Sequence, residues 1–334
     1  MTKISSLVST VLLIGSVSVA SAWEALPNKA PAPANNPTTA EKVTLGQILY
    51  HDPRLSSTGT VSCASCHNTM LGGEDNRPNS MGVNGQTGGR SAPTVWNSAF
   101  NTVQFWDGRA ASLEDQAAGP VTNPIEMGMK SWGDVVARLK SIEGYEDLFE
   151  KAFGKNSISK DNATKAIAAY ERTLITPNSP YDKYVKGNKN ALTDQQIKGM
   201  EKFAESGCVG CHSGPAFNGP GTYQKFPVIN SGFYSAKYKI NKDVGREEVT
   251  KSSADAHMWK VPTLRNIALT APYFHNGSVK SLDVAVKMMA KLQMGQDLSK
   301  QEIADIVAFL NALTGEFPKQ KMPVLPGTPG STFN

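Results

Sequence analysis

Cys63-Ala64-Ser65-Cys66-His67 and Cys208-Val209-Gly210-Cys211-His212 together use all four cysteines of this 334-residue chain. In each run, two thiols one helical turn apart can bond the two vinyl groups of a haem, and the adjoining imidazole can sit beneath the iron. Zinc would more usually draw four ligands from one compact cluster, and a thioredoxin-like pair needs a βαβ setting that the flanking residues lack. Two structural disulfides are the remaining competitor. Recurrence of the whole motif about 140 residues later, with no cysteine left over, favours two covalently bound c-type haems.

The N-terminus agrees with that reading. Lys3, the apolar stretch from Ile4 to Val19 and the small residues Ala20-Ser21-Ala22 have the order of a secretory signal, so residues 1–22 are expected to be removed. The apolar stretch is shorter than the ~20 residues of a spanning helix, and no stable membrane insertion is expected. Covalent haem attachment needs reduced cysteines outside the cytoplasm, so the expected compartment is the periplasm. Loss of Lys3 lowers the formal net charge from +5 to +4. Four haem propionates would offset that excess. No lysine or arginine block is present, and no nucleic-acid partner is expected.

The rest of the chain reads as mainly α, with two cytochrome-c-like haem domains and long irregular loops. Residues 23–40, rich in proline and alanine, read as a flexible leader. Residues 41–176 form the expected first haem domain, with helical stretches at Thr44–Tyr50, Val135–Phe153 and Ile158–Leu174. Two prolines between Thr176 and Pro180 mark the boundary. Residues 177–315 form the second domain. Thr193-Asp194-Gln195-Gln196 and Ser299-Lys300-Gln301-Glu302 are capping boxes, and the second of these helices should stop near Gly315. The tail, 316–334, lacks a helical pattern and is expected to pack back on the first domain. No internal repeat is evident beyond the haem motif and the helix before it.

Several further segments carry a resemblance. Gln104-Phe105-Trp106-Asp107-Gly108-Arg109-Ala110, Leu113-Glu114-Asp115-Gln116-Ala117, Asn123-Pro124-Ile125-Glu126-Met127, Val261-Pro262-Thr263-Leu264-Arg265-Asn266 and Leu269-Thr270-Ala271-Pro272-Tyr273-Phe274-His275-Asn276-Gly277 are similar to segments of the bacterial dihaem cytochrome c peroxidases. The similarity runs from about Leu45 to Thr314 in family order. It implies a peroxidase in which the haem on His67 binds hydrogen peroxide and the haem on His212 receives electrons from a small cytochrome c or cupredoxin. The wider group includes MauG-type enzymes, which oxidise a partner protein. A homodimer is common in the family.

The resemblance also implies residue roles. Met289 becomes the sixth ligand of the second iron, with Met258 and Met288 as alternatives; by itself a methionine on such a helix is usually core. Glu126 becomes the group that moves the peroxide's proton, and Gln116 the orienting amide. Burial raises a carboxylate's pKa and lets it serve as both base and acid. Trp106 becomes the aromatic bridge between the haems. The carbonyls of Thr270 and Pro272 become ligands of a calcium ion, although Ser91 stands where the family usually has asparagine. One departure bears on mechanism. Many members carry a ligating histidine sixteen residues after the first motif's histidine, whereas this chain has Val83. Valine cannot bind iron. The first site is therefore expected to be open at rest unless Met81 or His51 fills it. Gly72, Gly73, Gly82, Gly85, Gly88 and Gly89 mark the surrounding segment as a mobile loop.

Overall fold

The computed structural model describes residues 23–219, 221 and 223–327. The expected signal segment and residues 328–334 of the tail lie outside them. The chain is mostly helical. The first half carries α1 (Ala40–His51), α2 (Cys63–Cys66), α3 (Leu113–Thr122), α4 (Trp132–Ser141), α5 (Tyr145–Phe153) and α6 (Lys160–Glu171). Hydroxyl N-caps start most of them: Thr39, Ser112, Ser131 and Ser159 each accept a first-turn amide. The stretch read as helical from Val135 to Phe153 is split: the first helix ends at Ser141 with Ile142 extended beyond it, and Gly144, at positive φ, opens the next.

The second half carries α7 (Pro180–Val185), α8 (Asp194–Glu205), β1 (Tyr223–Lys225), α9 (Gly232–Tyr238), α10 (Glu247–Thr250), β2 (Met258–Lys260), α11 (Leu282–Met294) and α12 (Lys300–Asn311). Both capping boxes form, at Thr193 and Ser299. β1 and β2 pair antiparallel with Gln224 opposite Trp259. Among the described residues no helix is long and apolar enough to cross a membrane.

Each half has its own core. One cluster draws its buried residues from Leu45 to Leu174, and two others draw theirs from Tyr181 to Leu313. In each half a long helix pair touches backbone to backbone. A Cβ on Gly46 of α1 would overlap the Ala166 carbonyl of α6, and one on Gly199 of α8 would overlap the Asp305 carbonyl of α12. Only glycine allows that approach.

The two halves are related by an internal repeat that the sequence reading missed. Pro93-Thr94, Asn97, Phe105, Gly108 and Ser112-Leu113 recur at constant spacing as Pro262-Thr263, Asn266, Phe274, Gly277 and Ser281-Leu282. Asn97 and Asn266 have φ of 63° and 60°, Phe105 and Phe274 66° and 70°, and Gly108 and Gly277 67° and 55°. The repeats interlock across a pseudo-twofold axis. Ser91 N donates to His275 O at 2.7 Å, and its counterpart Lys260 N donates to Trp106 O at 2.9 Å. On the axis, Thr176 Oγ1 accepts from Asn97 and Asn266, both at 2.9 Å.

Residues 23–40, expected as a flexible leader, are packed. Trp23 lies among Tyr181, Phe217 and Phe309, and the Leu26 amide donates to the buried Asp182. Buried Asn36 donates to Glu114 and accepts from Lys42. Apolar side chains at Trp23 and Leu26 outweigh the loop-like composition around them. The described part of the tail crosses the first half: Phe317 stands edge-on to Trp96, and the carbonyls of Lys321 and Pro326 accept from Gln47 and Arg54.

Candidate functional site

Local hydrogen bonds orient both motif histidines. His67 Nδ1 lies 2.9 Å from Pro93 O, and His212 Nδ1 lies 3.1 Å from Phe217 O. A carbonyl there selects the Nδ1–H tautomer and leaves Nε2 as a free lone pair for a metal. The first turn is tied down further by Tyr50, whose hydroxyl donates to His67 O at 2.6 Å. Burial lowers the pKa of both imidazoles and so favours the neutral, ligating form. It also pushes the thiols of Cys63, Cys66 and Cys208 up to about 12, 11 and 11, and raises that of Cys211. No two of the four form a disulfide, and among the described residues no three His, Cys, Asp or Glu side chains converge on a metal site.

The second motif opens onto a large, mainly apolar cavity. Cys208, Cys211 and His212 line one wall, with Met289 and Ala285 of α11 also lining it. Of the three candidate methionines, Met289 alone lines it; Met288 is fully buried in the core, and Met258 sits in β2. Two polar groups stand out in the lining. Lys260 is buried and its pKa is pushed down to about 8, and His275 Nε2 is buried without a partner. Carboxylates would satisfy both. Apolar walls, two thiols, an oriented imidazole and these two nitrogen groups, an ammonium and a neutral imidazole able to donate, fit a covalently held haem with its propionates.

Trp106 joins this cavity to the first motif. Its ring lines the cavity, as does Pro93, whose carbonyl holds His67. The indole donates to Ser91 O at 2.9 Å and meets His275 edge-on at 6.4 Å. His275 in turn stacks on Trp259 at 4.1 Å. That contact is invisible in the sequence because it depends on the interlocked repeats, although the recurrence of Phe105-Trp106 as Phe274-His275 is a signal for it.

Glu126 faces a separate cavity with Phe105, Arg109, Pro120 and Asn123. Desolvation raises its pKa, against the pull of Arg109 and of a hydrogen bond from Asn123. Arg109 lies over the Phe105 ring and is paired with Asp107. Gln116, half-buried on α3, is one turn before Gly119 and Pro120 of that lining. Neither alternative ligand for the first iron, Met81 or His51, lines the cavity that Glu126 faces; Met81 is 47 % exposed, and the His51 ring packs on Tyr50 and Tyr170.

Thr270 and Pro272, the expected calcium ligands, also line the large cavity, and Asn76 donates to the Ala271 carbonyl between them. Ser91, at the family's asparagine position, is buried with its hydroxyl on Arg77 O.

Comparison with known proteins agrees with this geometry. Residues 40–190 match the family model described as di-haem cytochrome c peroxidase. The chain is 45% identical over 303 residues to cytochrome c551 peroxidase of Nitrosomonas europaea, covering 90% of this chain and 88% of that one. The chain belongs to the di-haem cytochrome c peroxidase family. It is thus an oxidoreductase of the cytochrome-c peroxidase class. It is also 48% identical over 290 residues to cytochrome c peroxidase Ccp of Escherichia coli (strain K12), covering 86% of this chain but only 61% of that longer relative. Among solved structures, a MauG-like protein associated with microbial copper homeostasis superposes with a TM-score of 0.78 at 29% identity, covering 87% of this chain and 95% of that one.

Proposed function

We propose that this chain is a periplasmic peroxidase built as two haem domains, reducing hydrogen peroxide to two waters with two electrons and two protons. The observation that carries the reading is Glu126, a carboxylate of raised pKa in a cavity walled by Phe105 and Pro120. When bound, the haem on His67 supplies the iron that takes up peroxide and exchanges electrons. The chain's own part is proton movement: Glu126 accepts a proton from the nearer peroxide oxygen and returns it to the farther one, so that the leaving oxygen departs as water. Arg109 opposes the desolvation and favours the ionised form that acts as base. Gln116 orients the oxidant, Trp106 links the two sites, and Met289 completes the second iron's ligation. Calcium at Thr270 and Pro272 would brace the two halves.

Electrons enter beside the cavity of the Cys208–His212 motif. Met294 lines that cavity and is also 38 % exposed, and Val228, Ile229 and Phe233 continue an apolar surface from it. Exposed Lys225, Lys237 and Lys239 border this patch. Such a surface suits a small cytochrome c or cupredoxin whose contact face is apolar with acidic residues around it, held briefly.

A MauG-type oxidation of a protein substrate is the second reading. The higher identity to the named peroxidases and a methionine at position 289, where that group favours tyrosine, support the peroxidase. Glu126→Gln tests the choice against a pure electron carrier. A peroxidase loses roughly 10²- to 10⁴-fold in turnover with its haem spectra intact. A carrier would be indifferent, and unchanged peroxide turnover would remove Glu126 from the mechanism.

A further inference from the structure

Six glycines led us to expect one mobile loop around position 83, but the loop has two distinct parts. A Cβ on Gly85, Gly88 or Gly89 would meet nothing within 4 Å. Gly82 is the opposite case: a Cβ there would overlap the carbonyl oxygen of Ile125 and crowd that of Glu126. Val83, next to it, is 2 % exposed, and its amide donates to the Glu126 carbonyl at 2.9 Å. Its side chain is sunk against Gly128, where an added Cβ would fall 2.8 Å from Val83 Cγ2. From the other side, the end of α3 holds the same turn, with Glu126 N and Gly128 N donating to Asn123 O at 3.1 and 2.9 Å. Ser57 N donates to Met127 O at 2.8 Å, and Gln86 Nε2 reaches Pro124 O at 3.3 Å.

We propose that Gly82 and Val83 form a fixed latch that positions Glu126. Position 83 then carries no iron ligand that must leave; it is an apolar plug whose amide clamps the acid–base turn from above while α3 clamps it from below. Glu126 is held ready in the oxidised and reduced protein alike. The hairpin beyond presents Gly85, Gly88 and Gly89 to open space, while Gln86 ties it to the latch, its amide donating to Val83 O and its carbonyl accepting from Gly82 N. The inference rests on Glu126 as the proton-transfer group, with Val83 acting through it as a positioning residue.

Two experiments on the holoprotein test this. Hydrogen exchange followed by mass spectrometry should find segment 81–84 and segment 123–129 each as protected in the reduced form as in the oxidised form. Exchange in 81–84 that rises on reduction would overturn the latch, whatever Glu126 does. The second is a double-mutant cycle on the peroxide rate constant. Val83→Ala should cost roughly 10- to 100-fold, because a group displaced by about 1 Å loses that order of rate. Gly88→Ala should change nothing. In a Glu126→Gln background Val83→Ala should have little further effect. Equal losses in both backgrounds would make Val83 a merely structural residue, and a Glu126→Gln protein as active as the parent would show instead that the underlying role of Glu126 has failed. Gly82→Ala, if it folds, should resemble Val83→Ala.

Discussion

Replacing Asp182 by asparagine tests how the second half is held together. Arg265 NH1 and Asp182 Oδ1 are 2.8 Å apart, and neither side chain is exposed to solvent. The guanidinium also donates to Pro215 O at 2.8 Å, Ser179 Oγ at 3.1 Å and Glu24 O at 3.3 Å, between the rings of Tyr181 and Phe217. The carboxylate accepts from the amides of Leu26 at 2.9 Å and Ser179 at 3.0 Å. Asparagine keeps the shape but removes the carboxylate charge bonded to the buried cation. An uncompensated buried charge costs roughly 3–5 kcal/mol. At about 2–3 °C per kcal/mol for a chain of this size, the melting temperature should fall by about 6–15 °C. Thermal unfolding of the holoprotein followed by far-ultraviolet circular dichroism measures it. Adding Arg265→Met should recover at least ~2 kcal/mol of the loss, since an ion pair exchanged whole for neutral groups is often near neutral. A single-variant loss below ~1 kcal/mol, or strictly additive losses, would refute the claim that the pair is desolvated. Because Asp182 also holds Leu26, the leader should become sensitive to limited proteolysis in the single variant.

Three further outcomes follow from the site. Met289→Ala should lower the reduction potential of the second haem in a potentiometric titration, and an unchanged potential would exclude Met289 as its ligand. In the pH profile of the peroxide rate, activity should be lost as pH falls through the raised pKa of Glu126, because the protonated carboxyl cannot act as base; Arg109→Leu, by removing the main pull downward, should move that limb to higher pH. Gly199→Ala should force α8 away from α12 and lower stability by roughly 1–3 kcal/mol in urea unfolding, the usual cost of overpacking.

Much of this protein is legible in contiguous residues. The CxxCH runs, the hydroxyl caps and the apolar spacing are local signals, and the elements they specify form within a few residues of them. The repeat was harder to see because its identities fall only where the backbone demands them, at positive-φ asparagine and glycine and at helix starts, with unrelated residues between. The leader was misread because its composition describes a loop, while two apolar side chains decide where it lies. Val83 was read correctly as unable to bind iron, but its place under Gly128 could not be read from the loop's glycines.

The chain by itself determined its two haem-binding runs, its helical character and its membership of a peroxidase family, since all three reside in the identity and spacing of side chains. Tertiary structure alone decided which imidazole nitrogen of each motif is left without a carbonyl partner, how Trp106 meets His275, and what holds Glu126 in place. The deciding partners are backbone carbonyls or packing surfaces supplied by Pro93, Ser91 or Glu126 itself, distant in sequence, and in one case by Phe217, five residues from His212. Every residue carries the same backbone groups, so their pairing leaves no mark in the order of the amino acids and is set only when the two halves interlock.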